Sequence, residues 1–372
     1  MNRLVIIGNG FDLAHGLKTS YKDFIDWYWE QRLEALLTEN TKTSSDCLCA
    51  FYILNTTNNY SSWRDFVSGN TELRNFEGNW IYPAKDIIKG IVRNVSAFRI
   101  KKSSFFENIT NSIESKGWVD IENEYYQLLK KNYNQIDKCK DLNKQLKFLQ
   151  DKLVEYLKTL PKVECNKEIV ELLKAPFEKQ DISTHDKENA FDSIRAYASI
   201  PNECYPENIL LLSFNYTNTV EMYTDSNRIF NYIHGSLSKE DQIIFGYGDE
   251  LDKDYKEILD KNDNELLNYV KSVKYLEADH YKQMLRFIEA EPFQVYIMGH
   301  SCGNSDRTLL NKIFEHKNCV SIKPFYYQKP DGTDTFLEIV QNIYRNFTDM
   351  SLYRDRVVDK TCCIPLPQSQ KQ

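Results

Sequence analysis

Asn215 and His234 are the side chains best placed for chemistry, because each stands just past a short apolar run: Ser213-Phe214-Asn215-Tyr216-Thr217-Asn218-Thr219 and Ile233-His234-Gly235-Ser236. A carboxamide both donates and accepts, so Asn215 can hold a water or a ribose hydroxyl. An imidazole with an ordinary pKa of about 6.5 can accept a proton near neutral pH, which suits His234 to general-base work. Each also has a plainer reading: Asn215 as the cap of a following helix, His234 as a satisfied structural residue. Two glycine-bearing loops accompany them. In Gly8-Asn9-Gly10-Phe11-Asp12-Leu13-Ala14-His15-Gly16, the first two glycines permit a tight turn and close backbone approach to a phosphate or sugar, or serve only the strand-to-helix turn. Leu13 occupies the place where the dinucleotide fingerprint has its third glycine, which speaks against an ordinary dehydrogenase.

The other loop, Gly299-His300-Ser301-Cys302-Gly303-Asn304-Ser305-Asp306, supports two opposed readings. As Gly-x-Ser-x-Gly it imitates the nucleophile elbow of α/β-hydrolases. That chemistry needs an acid and then a histidine after the serine, and the only later histidine is His316, in the helical stretch directly following. As a nucleotide loop, Gly299 and Ser301 offer backbone and hydroxyl contacts, and Asp306 can bond a ribose or cap a helix. Trp118-Val119-Asp120-Ile121-Glu122-Asn123-Glu124 places acidic groups where a helix starts; stabilising the helix dipole is their default role, and a metal-binding carboxylate pair lacks nearby histidines.

These loops need a parallel sheet to bring them together. Arg3 to Gly8 is a short buried strand, followed by a turn and a helical pattern over about Tyr21 to Leu37. Strand signals then nearly vanish until about Cys204, while Ile121 to Leu160 keeps helical spacing. Short runs rich in β-branched and aromatic residues return at Ile209–Phe214, Ile229–Ile233, Gln242–Phe245, Gln294–Met298 and Cys319–Phe325. Helical patterns follow from Thr219 and over Ser305 to His316. The expected architecture is α/β: a Rossmann-like, mostly parallel sheet from residues 1–24 and 205–364, a mainly helical insertion over 25–204, and a loose tail over 365–372.

Composition sets the limits. A chain of 372 residues with 41% apolar side chains can bury a sizeable core. Its net charge of −7 provides no global basic field for nucleic-acid backbones, and a nuclease would also need a metal cluster that the sequence does not display. No run approaches the roughly 18 apolar residues of a membrane helix, and the chain begins at once with Leu4-Val5-Ile6-Ile7, so a cytoplasmic protein with no membrane partner is expected. The nine cysteines match no zinc pattern or disulfide framework and read as reduced thiols, mostly buried.

Taken together, Gly8-Asn9-Gly10-Phe11-Asp12-Leu13-Ala14-His15-Gly16-Leu17 with Thr19-Ser20-Tyr21 and Asp23-Phe24, Trp118 with Asp120 and Glu122, Phe214-Asn215-Tyr216-Thr217, Ile233-His234-Gly235 and the Gly299 to Asp306 loop resemble the AbiH family of bacterial phage abortive-infection proteins. The resemblance covers nearly the whole chain and implies a defence role against phage, with a phage-derived trigger and a homo-oligomer as possible partners. More distantly, the order of motifs is similar to the sirtuin-like NAD-consuming domains of other defence proteins. That similarity implies catalytic roles for Asn215 and His234 and NAD as substrate, with no cofactor or metal required. Gly8, Asn9, Gly10, Asp12, His15, Thr217, Gly235, Gly299, Ser301 and Asp306 would then contact the nucleotide. Asn9 and Phe11, where sirtuin-like loops carry small residues, and His300 and Cys302 depart from that pattern. A nucleotide sensor that binds without cleaving and signals through the helical insertion is the alternative from another class.

Overall fold

The computed structural model describes all residues except 55–59, 74, 76–78, 94–96, 183–203 and 370–372. The chain forms two compact units, one of Met1–Thr19 with Lys158–Gln372, the other of Ser20–Leu157.

The first unit is built on five parallel strands: β1 (Asn2–Ile7), β5 (Ile209–Ser213), β6 (Arg228–Tyr232), β7 (Phe293–Met298) and β8 (Cys319–Phe325), in the spatial order β6-β5-β1-β7-β8. The fold is thus α/β, as the loop spacing predicts. Counted within this sheet alone the order is 3-2-1-4-5, the doubly wound arrangement of Rossmann-like folds, whose strand order reverses between β1 and β7. β1 is buried along its whole length because it lies between two cores. Leu4 and Ile6 pack with Leu210, Leu212, Val295 and Ile297 on one face, and Val5 and Ile7 with Leu211, Tyr296 and Met298 on the other. The period-2 alternation of the strand serves both faces, and for that reason its sequence is continuously apolar.

The second unit joins helices Tyr21–Thr38, Ser104–Lys116, Ile121–Asn132 and Ile136–Lys158 to a three-stranded antiparallel sheet of β2 (Thr43–Ser45), β3 (Cys49–Ile53) and β4 (Phe98–Lys102). The sheet escapes sequence notice because β2 is three residues of Thr and Ser, and β4 alternates Ile100 with charged Arg99 and Lys101. Asp120 accepts from the Asn123 N–H at 2.9 Å, so it caps the helix Ile121–Asn132, with Glu122 and Glu124 in the first turn.

Several expectations are corrected. The helix Lys167–Lys174, inside the expected insertion, belongs to the sheet unit, where Ile169 and Leu173 enter the core with Val5 and Ile7. Part of the expected insertion, residues 183–203, lies outside the described residues. Residues Gln242–Phe245 are not a strand: Ile244 N–H donates to the His234 carbonyl and Tyr216 Oη to the Ile244 carbonyl, so loop partners take the groups a ladder would use. The pattern after Thr219 yields only a 3₁₀ turn, Asn218–Tyr223. The tail is not loose through Ser369. Leu366 is buried and its N–H donates to the Tyr326 carbonyl, and Ser369 N–H reaches the Ala14 carbonyl at 2.7 Å.

At the amino ends of the strands, fully buried Arg3 secures the helix Lys167–Lys174. Its Nη1 donates to the Leu173 and Ala175 carbonyls at 2.8 Å each, and its Nη2 to Gln294 Oε1 at 3.3 Å. A cation there suits the negative end of the helix dipole. Arg3→Met would strand those carbonyls without donors, so the protein should lose on the order of 3 kcal/mol, read as a lower urea midpoint at unchanged slope. An unchanged midpoint would show that the capping contributes nothing.

Candidate functional site

Because the five strands are parallel, the loops after β1, β5, β6 and β7 all emerge at one edge, and those after β1 and β7 flank the reversal in strand order where open α/β sheets bind ligands. These two loops are pressed together. Gly8 N–H donates to the Met298 carbonyl at 3.3 Å, and Gly10 N–H to the Gly299 carbonyl at 2.7 Å. Gly299 has φ +73°, and a Cβ on it would run into Phe11 N and Gly10 C; a Cβ on Gly8 would run into His300. The glycines therefore serve loop-on-loop packing, and the amide of Gly10 is already spent. The helix that follows begins at once, as the six-residue Asn9–Ala14 with Gly8 at its N-cap.

Asn215 is half-buried and donates from Nδ2 to the Gly8 carbonyl at 2.9 Å, tying the loop after β5 to that after β1. Behind it, Thr217 donates to Asp12 Oδ2 at 2.6 Å and Thr219 to Thr217 at 3.3 Å. Asp12 Oδ1 is buried without a hydrogen-bond partner among the described residues. Burial pushes the Asp12 carboxyl up to about 6, against the opposing hydrogen bond of Thr217. His15, expected at the nucleotide, faces the core instead. Its ring nitrogens pair with the Phe11 carbonyl at 2.7 Å and Tyr223 Oη at 2.6 Å, and burial lowers its pKa.

The centre of the site is Asp306, in the 3₁₀ turn Asn304–Asp306 after β7. Its buried carboxylate faces Lys271 Nζ at 2.7 Å and His234 Nε2 at 3.3 Å through one oxygen, and His300 Nε2 at 3.5 Å through the other. Burial alone would raise this carboxyl; Lys271 and then the two imidazoles hold it well below the usual carboxylate range. His300 Nδ1 accepts the Cys302 N–H at 3.0 Å, so in the neutral ring the hydrogen sits on Nε2 and points at Asp306. His234 Nε2 also lies 3.2 Å from Tyr275 Oη, but the ionised carboxylate is the stronger acceptor and assigns the hydrogen to Nε2. Phe214 places its ring against both imidazoles, at centroid distances of 5.0 and 4.3 Å. Tyr275 lies parallel to His234 at 6.2 Å. His234 departs from the expected value: burial and then Lys271 lower its pKa from 6.5 to about 4, so the ring is neutral at neutral pH.

Three placements qualify the sequence expectations. Asp306, expected on a ribose, has both oxygens engaged by protein groups. Ser301 is exposed, and the left-handed backbone falls on Cys302 (φ +54°), one residue further on, where a nucleophile elbow would strain the serine itself. Gly235 closes the turn after His234 with φ +79°. Lys271 and Tyr275 come from the long crossover between β6 and β7 and carry no motif; only the fold reveals them.

The profile described as "Bacteriophage abortive infection AbiH" matches residues 4–328. The chain belongs to the AbiH family. This assigns the protein to phage abortive infection, a defence role. No curated protein matches the chain. In this AbiH protein, among the described residues, no helix is long and apolar enough to cross a membrane, and no group of three or more His, Cys, Asp or Glu is arranged to hold a metal ion.

The buried Asp12 carboxyl supplies a test of the site's electrostatics. Its folded-state pKa of about 6 lies above the ordinary 3.8, so the folded state holds the proton more tightly and stability falls as pH rises from 3.8 to 6. His234 acts in the opposite sense, because a pKa lowered from 6.5 to about 4 makes stability rise with pH between those values, but it is common to both proteins and cancels in a comparison. Relative to the parent, Asp12→Asn should gain stability across pH 4 to 6, by on the order of 3 kcal/mol at about 1.4 kcal/mol per unit. Denaturant midpoints of both proteins measured across that range would show it; a difference that does not vary with pH would contradict the burial of a titrating carboxyl.

Proposed function

We propose that this AbiH protein acts in phage defence by hydrolysing NAD at the bond between nicotinamide and ribose. The observation that carries the reading is the pairing of His234 with Asp306 at the carboxyl edge of the sheet, the edge at which Asn215 is tied to Gly8. An imidazole whose Nε2–H is directed to a carboxylate keeps its lone pair on Nδ1, which is the arrangement of an oriented general base. In the proposed reaction Nδ1 takes a proton from a water that Asn215 orients through its carbonyl oxygen. The water oxygen forms the new bond to the anomeric carbon, and the carbon–nitrogen bond breaks with its electron pair leaving on nicotinamide. The transition state resembles an oxocarbenium ion, as in glycoside hydrolysis. Asn9 and Ser301, exposed on the two packed loops, are the polar groups assigned to the rest of the nucleotide. The similarity of motif order to sirtuin-like NAD-consuming domains supports the same roles.

A binding-only reading draws on one observation, that Asn215 Nδ2 is already spent on the Gly8 carbonyl. In that reading the loops hold a nucleotide that switches the protein without being cleaved.

Purified protein incubated with NAD, with and without phage lysate, and analysed for nicotinamide by chromatography separates the two. Release is expected to fall by about 10²- to 10⁴-fold in His234→Ala, the usual worth of a general base, and to fall also in Asn215→Ala. Tight nucleotide binding with no release under any condition would replace hydrolysis by the sensor reading.

A further inference from the structure

We propose that Lys271 is a positioning residue for the His234 base: it supplies the one buried positive charge that the Asp306 carboxylate requires, so that His234 and His300 both stay uncharged and the Nδ1 lone pair of His234 remains open to a substrate proton. The catalytic half of this statement rests on the reading of His234 as the base; the assignment of charge stands on geometry alone.

Lys271 is fully buried, and its Nζ approaches Asp306 Oδ1 at 2.7 Å, closer than either imidazole at 3.3 and 3.5 Å. The groups facing His234 come from three elements: Lys271 and Tyr275 from the crossover, His300 and Asp306 from the loop after β7, and Phe214 from the loop after β5. Of these Lys271 and Asp306 form the closest ion pair, of opposite charge, at 2.7 Å. A further proton on either ring would leave a net positive charge in a cluster removed from water, which a low-dielectric surrounding opposes. The tautomers follow from the same contacts. Cys302 N–H occupies His300 Nδ1, and Asp306 draws the hydrogen of both rings to Nε2. Without the ammonium, the buried carboxylate would need a countercharge from the nearest alternative, and an imidazole would take up a proton to provide it. A ring protonated on both nitrogens has no lone pair for a substrate.

The test is nuclear magnetic resonance of the full chain with ¹⁵N-labelled histidine. The chain has only six histidines, and His234→Gln and His300→Gln assign the two signals. At pH 7 the parent should show both rings as neutral Nε2–H tautomers. Lys271→Met should turn one of them into a charged imidazolium at pH 7, which for His234 means a rise of about three pH units or more from about 4, whereas Lys271→Arg should leave both neutral. If Lys271→Met does not fold, Lys271→Met/Asp306→Asn, which removes both charges together, should fold and keep both rings neutral. A charged ring at either position in the parent at pH 7, an unchanged spectrum in Lys271→Met, or a charged ring in the double variant would overturn the proposal. None of these spectra depends on turnover, so absence of nicotinamide release would remove the catalytic reading and leave the charge assignment to be judged separately.

Discussion

A carboxylate taken out of water must find its donors within the protein, and Asp306 finds three: Lys271, His234 and His300. That requirement draws together parts of the chain distant in sequence. It fixes the turn after β7, the crossover that delivers Lys271, and His234, the second residue past β6. The rings of Phe214 and Tyr275 enclose His234 from two sides, keeping it dry enough to remain neutral.

The scaffold that permits this is the close packing of the loops after β1 and β7. Gly8, Gly10 and Gly299 allow two backbones to approach where side chains could not fit, and Asn215 adds a third loop through the Gly8 carbonyl. Asp12 stiffens that third loop from behind through Thr217, at the cost of a buried and partly unsatisfied carboxyl. The Gly-rich motif therefore reads as a device for packing the loops together, with Asn9 and Ser301 exposed on their surface.

Much of this was legible in the sequence. The strand Cys319–Phe325 is found with the predicted bounds, and β1, β5, β6 and β7 differ from their expected ends by a single residue; in β1, β5, β7 and Cys319–Phe325 the continuous apolar run marks a strand buried on both faces, whereas β6, at the sheet edge, leaves Ile229 and Phe230 exposed. The loops that converge are the ones the spacing singled out. What stayed hidden depends on tertiary contacts. Nothing around Lys271 distinguishes it from a surface lysine, since its partner lies 35 residues further along the chain. His15 sits inside the most specific motif yet packs against Tyr223, a residue 208 positions away. The antiparallel sheet of the second unit is too short and polar to stand out, and the last residues look like a polar tail until Leu366 is seen in the core.

The central claim, that a nucleotide is bound where the loops after β1, β5, β6 and β7 meet, is most directly tested by titrating a non-hydrolysable NAD analogue into histidine-labelled protein. His316, beside Phe293 at the amino end of β7, serves as an internal control at the opposite edge of the sheet. The His234 and His300 resonances should shift and saturate together while His316 stays fixed. A titration in which His316 moves, or in which neither His234 nor His300 responds, would place the nucleotide elsewhere or nowhere on this protein.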